Sequence, residues 1–329
     1  ERPAVLVHAL LALGPQIQTS DGSKAIDALF STWATHKEFH GIPYIGFPRS
    51  SANTPVEAHR GIVLKTLTEI GVSPDYPIQV EEQQLTIADL YRSTLLHTWV
   101  SSRGDGASPT FSGPRDMAWT LQGLSTWAPD AALSWTTLDG KSQNLNDFSI
   151  FNFAVLHSDT QPLFQAQTAG AGFHKYRVEN GERVGVGPYQ HRCGAAHALQ
   201  ASAYAIARGH GTNERILAGM KGQVSNMFWR LSHELAITDE FLARPSLTPT
   251  EVSWLLVQQL KTTGHFLESM SKLSALGYYK PNDEQQVILQ GALDRLVEVI
   301  LMLEKRGTLS KEIPTILQSD PQLFMDIVN

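Results

Sequence analysis

Apolar residues recur along most of this chain at spacings of three and four, the mark of helices buried on one face. The C-terminal third shows it best. Leu256, Leu260, Thr263, Leu267 and Met270 fall on one predicted face, and Thr248-Pro249-Thr250-Glu251 stands before them. A threonine at the cap accepts from the amide three residues on, Glu251 reaches back, and proline at the first helical position loses no hydrogen bond. Leu247 and Val252 are placed to close over that end, and Gly277 offers the left-handed stop. After Tyr278-Tyr279-Lys280, Pro281 is expected to open a second stripe of Leu289, Leu293, Leu296, Ile300 and Leu303, ending at Gly307. Two long helices with so short a link fold back as an antiparallel pair.

The same grammar runs upstream. Ile216, Met220, Val224, Met227, Leu231 and Leu235 form one stripe; Ala195, Leu199, Ser202 and Ile206, closed by Gly209, form another. Thr86-Ile87-Ala88-Asp89 reads as a cap opening a helix through Trp99, Pro114 opens one that Pro129 ends, and Ile62, Val63, Leu67 and Ile70 stop at Gly71. Ile26, Phe30, Trp33 and Lys37 predict a helix reaching His40, with Gly41 and Pro43 as its stop. Two segments alternate instead. Tyr176 to Val184 carries Asn180-Gly181 at its centre, a strong hairpin signal, and Trp135 to Lys141 turns about Asp139-Gly140.

These elements predict a mainly all-α protein of antiparallel helix pairs with one or two small β-hairpins in mid-chain. No shift in composition marks a boundary, so a single helical domain over 1–329 is expected. Serial helix pairs close into an α/α toroid or pack as an irregular helical bundle, and the chain length suits the toroid. That architecture is similar to the helical-toroid glycosidases, polysaccharide lyases and terpenoid cyclases. None of their motifs is present, and a fold alone assigns no function.

Composition narrows the classes. Charged residues are 18% of the chain and the net charge is -6; no basic run neutralises a line of phosphates, so nucleic acid is not an expected partner. The apolar run from Ala4 to Leu13 is too short to span a membrane. The first residue is Glu1 rather than Met, which reads as a processed or trimmed chain. With few lysines and many Ser, Thr and Gln, this favours an exported protein, periplasmic or secreted, over a cytoplasmic one.

The candidate chemistry lies in histidines and one cysteine. In His191-Arg192-Cys193-Gly194-Ala195-Ala196-His197, Cys193 is expected near the first turn of a helix, where the dipole and a neighbouring cation favour a nucleophilic thiolate. His197 and Tyr204, seven apart, share a face and suit acid–base work. His191, Cys193, His197 and Tyr204 are therefore the expected catalytic group. His36 and His40, four apart on the predicted helix, and His59 are the expected ligands of a divalent transition metal such as zinc. The other histidines, His265 among them, read singly as core residues with satisfied hydrogen bonds, although His233-Glu234 and His265-x-x-Glu268 add carboxylates as ligands or supporting partners. The expected activity is acid–base chemistry, a hydrolase or lyase acting on a small-molecule or glycan substrate in a histidine-lined cleft. The alternatives are a metal-binding helical protein and a non-catalytic scaffold for protein interaction.

Overall fold

The computed structural model describes residues 2–308 except 49, 52–53, 58, 97, 99–116, 129–132, 139 and 191. They include ten α-helices and five small two-stranded antiparallel sheets. The mainly all-α expectation holds. No helix among the described residues is long and apolar enough to cross a membrane. The chain forms two compact units, Glu1–Leu156 with Gln200–Ile216, and His157–Leu199 with Leu217–Asn329.

The first unit opens with α1 (Pro3–Leu13) and α2 (Ala25–Trp33), followed by a hairpin of β1 (Thr35–Phe39) and β2 (Ile42–Gly46). The helix expected to reach His40 ends at Trp33, because Ala34 is extended (ψ 143°) and His40 and Gly41 both take positive φ (49° and 78°). Gly41 is thus a hairpin turn residue where a helix stop was expected. Next come β3 (Ser50–Ser51), β4 (Thr54–Pro55), α3 (Ile62–Glu69), the β5 (Pro77–Val80) and β6 (Gln83–Thr86) hairpin, α4 (Ile87–Leu96) and α5 (Ala118–Trp127). Hairpins therefore also occupy the N-terminal region, not the middle alone. At the start of α4, the Asp89 carboxylate accepts from the Thr86 amide and hydroxyl, both at 2.9 Å.

Helices α3 and α5 approach closely because Gly123 faces Leu64, and a Cβ there would lie 3.0 Å from its Cγ. Between them Lys65 is fully buried; its ammonium reaches Glu69 at 2.7 Å and lies 4.4 Å from the Trp119 ring centre. A buried lysine is tolerable when paired in this way. The unit also holds β7 (Ser134–Thr136), β8 (Ser142–Asn144) and the first part of α6 (Leu145–Ala169), whose first turn is capped by Asn144 accepting from the Asp147 amide at 2.8 Å.

The second unit carries the rest of α6, the hairpin of β9 (Tyr176–Glu179) and β10 (Glu182–Gly185), and the start of α7 (Ala196–Ala207), with most of α8 (Glu214–Leu242), α9 (Pro249–Ala275) and α10 (Asp283–Arg306). The Asn180-Gly181 turn forms as expected, both residues at positive φ. So does the reciprocal cap of α9: the Glu251 amide donates to Thr248 and the Thr248 amide donates to Glu251. Helix α10 is capped by Asn282 with Gln285, one residue beyond the expected Pro281. Leu256 and Val257 of α9 pack on Val299 and Leu303 of α10, with Leu242 of α8 against them.

A candidate thiol site in the second unit

The β9–β10 hairpin delivers a short run of chain into the space between α8 and α9. Gly187 takes φ +59°, and a Cβ there would meet the Asp159 carbonyl oxygen at 2.7 Å. The backbone passes α6 too closely for any side chain. Gly187→Ala is expected to lower the unfolding temperature by several degrees, on the order of 2 kcal/mol for the strained φ and the clash together, and a thermal melt checks it. Two residues later Tyr189 enters the unit's interior, its ring stacked on Phe173 at 5.9 Å.

Glu234 of α8 gathers this side of the site. Its carboxylate accepts from the Tyr189 hydroxyl, pairs with Lys175 at 2.6 Å and Arg230 at 3.2 Å, and accepts from Thr262 of α9 at 3.2 Å. Burial on its own would raise the Glu234 pKa, but the two cations and the hydrogen bonds overrule it and hold the group at about 2. Burial first, and then the adjacent carboxylate, push the Tyr189 phenol far up, so it stays a donor.

Across the cavity stands Cys193, in a single 3₁₀ turn (Arg192–Ala195) leading into α7. It is half-buried and takes φ +53°, and Ala195 takes φ +64°. Two non-glycine residues held left-handed within three positions cost about 1–2 kcal/mol each, and such strain concentrates at functional sites. His265 of α9 faces the same cavity. Its Nδ1 lies 3.5 Å from a Glu268 carboxylate oxygen, one helical turn on, and Lys272 holds that carboxylate at 2.6 Å. Its Nε2 is shut off from solvent and makes no hydrogen bond of ordinary geometry among the described residues. Burial opposes charge on this imidazole, but the Cys193 sulfur and the Glu268 carboxylate more than offset it and push it up to about 9. His197, in the first turn of α7, is buried with its ring 5.0 Å from that of His265. The cavity is about 130 Å³, and Cys193, His265, Lys175, Tyr189, Arg230 and Glu234 all line it.

Of the expected catalytic group, Cys193 and His197 thus come together. His191 lies outside the described residues, and Tyr204 lies further along α7, in the first unit. The expected metal set does not form a common donor cluster among the described residues. His36 is on a strand, its Nδ1 3.1 Å from Glu81; His40 is in the hairpin turn with its ring on Phe39; His59 is in the turn before α3, its ring 6.5 Å from that of Trp119. The spacing of four that would put His36 and His40 on one helical face has no helix to act on. A different soft-donor pair is present, with Cys193 Sγ and a ring nitrogen of His197 within 4.8 Å, and such a His/Cys cluster could hold a transition metal. Lys175, Tyr189 and Arg230 carried no signal in the sequence, because a salt-bridged cavity wall has no characteristic spacing. No family model matches the chain, and no curated protein or solved structure matches it.

Proposed function

We propose that this protein is a thiol-dependent hydrolase that cleaves a small acyl compound, with Cys193 as nucleophile and His265 as its acid–base partner. One observation carries the reading. A histidine nitrogen closed off from solvent and without an ordinary hydrogen bond lines the same cavity as the chain's one cysteine, while its other nitrogen faces a carboxylate. That is the order of parts a nucleophile–base–orienting acid arrangement needs. The left-handed backbone at Cys193 is the strain that such an arrangement repays.

Held up at about 9, His265 carries the thiol proton before the attack, and the sulfur then gives an electron pair to the substrate carbonyl carbon. A C–S bond forms, the bond to the leaving group breaks, and His265 returns the proton to that group. Water then attacks the thioester, again losing a proton to the imidazole, and the C–S bond breaks to release the acid and regenerate the thiol. Glu268 keeps Nδ1 protonated and the ring oriented, with no proton transfer of its own. The Lys175–Glu234–Arg230 group, centred on the buried Glu234, gives the cavity a polar wall fixed in advance of binding. A p-nitrophenyl ester tests the reading. It predicts a rapid first release of p-nitrophenolate and an acyl mass on Cys193; turnover with no such adduct contradicts it.

A second reading has one observation in its favour, the Cys193–His197 donor pair. It makes the site a metal centre in which His265 supports the thiolate. Elemental analysis after purification without chelators separates the two. One equivalent of zinc, lost in Cys193→Ser, favours the metal; a metal-free protein that still forms the acyl adduct favours the hydrolase.

A further inference from the structure

A second, larger depression of about 380 Å³ lies beside the thiol cavity, and its lining includes Trp254, Phe241, Ile237, Leu255 and Val178. The two spaces share Lys175, Tyr176 and Gln258 in their walls, so they lie side by side. Two helix faces run along both. Along α9, Trp254, Gln258, Lys261 and His265 follow at helical spacing, and along α8, Phe241, Ile237, Glu234 and Arg230 do the same. Each face is polar at the thiol end and apolar at the far end. Trp254 stands eleven residues from His265, about 16 Å along the helix axis.

Several large apolar side chains of this groove are left in solvent. Val178 is 74% exposed, Tyr176 46%, Trp254 39% and Phe241 38%. Exposed apolar surface of this extent, gathered in one concave place beside the cavity that Cys193 lines, is the form of a ligand subsite.

We propose that this groove binds the acyl portion of the substrate, so that the protein prefers esters or thioesters of extended apolar acids over those of acetate. The proposal rests on the thiol-hydrolase reading and names its substrate class. A chain attached to the carbonyl at Cys193 has an apolar direction to follow past Tyr176 and Gln258 toward Phe241 and Trp254. Each methylene it places there leaves water, which is worth about fourfold in kcat/KM. A preference that saturates near a hundredfold needs only three or four such groups.

The test is kcat/KM for p-nitrophenyl acetate, butyrate, hexanoate and octanoate, with the acyl–Cys193 mass followed for each. The full chain is used throughout, as wild type, Trp254→Ala and Val178→Glu. Val178 is an exposed strand residue, so its replacement keeps the proposal testable if loss of Trp254 impairs folding. The expected result is a rise of at least about a hundredfold from acetate to octanoate, with the octanoate-to-acetate ratio cut tenfold or more in both variants. Acylation of Cys193 by every ester with no rise along the series overturns the groove proposal and leaves the thiol reading standing. A rise that neither variant reduces also overturns it. Absence of an acyl–Cys193 mass with any ester overturns the thiol reading, and the groove proposal with it.

Discussion

Replacing Glu234 by glutamine is expected to destabilise the second unit by about 3–5 kcal/mol, the usual cost of removing one partner from a buried ion pair. The side chain is 6% exposed and serves Lys175, Arg230, Tyr189 and Thr262 at once, so the change leaves two cations facing each other without their anion. The pH dependence follows from the same shift. The carboxyl titrates near 4.5 when unfolded and about 2 when folded. Its contribution, about 3 kcal/mol, is full above pH 4.5 and is lost as pH falls toward 2. Denaturant unfolding at pH 7 and pH 3 checks both points. The wild type should lose more stability than Glu234→Gln between those values, and equal losses would mean that the carboxylate is not held as described.

The second large effect is on turnover. Cys193→Ala is expected to lower kcat for a p-nitrophenyl ester by at least about a thousandfold, since a nucleophile's removal takes the whole reacting group with it. Stability should not follow. At φ +53° alanine keeps the strain that cysteine bears, whereas glycine relieves about 1 kcal/mol of it. Cys193→Gly is therefore expected to be as inactive as Cys193→Ala yet to unfold at higher denaturant, as measured by a paired assay of rate and unfolding midpoint. A gain in stability with loss of activity is what backbone strain kept for function produces.

What the sequence made legible was local. The cap of α9 and the Asn180-Gly181 hairpin were readable because the residues that make them lie within four positions of one another. The failures have physical causes too. Gly41 ends a helix or turns a hairpin with the same positive φ, and only the pairing of Thr35–Phe39 with Ile42–Gly46 decides between them. Helix α6 has apolar residues around much of its circumference and Pro162 within it, so it shows no single stripe. In α10 the expected stripe is partly turned outward. Leu293 and Ile300 are exposed, as are Val287, Val297 and Leu301, while Ala292, Val299 and Leu303 are buried, because apolar residues stand around so much of that helix that spacing alone does not single out the packed face.

The site divides in the same way. Cys193 and His197 were visible as neighbours in sequence. Sequence alone makes His265 a core histidine with its bonds satisfied, and the structure corrects this, because whether Nε2 has a partner depends on the side chains that α9 meets. The His265-x-x-Glu268 spacing was the one advance sign, and it is the contact that forms. How the helix pairs close on one another was not legible, since the periodicity that marks a buried face does not say which partner buries it.

Activation of Cys193 by His265 can be measured without any substrate. Cys193 is the only cysteine in the chain, so the rate of iodoacetamide alkylation, followed by intact mass at pH 7, reports on this thiol alone. The folded wild type is expected to react at least about tenfold faster than His265→Gln, with Glu268→Gln between them. Equal rates in all three proteins would contradict it.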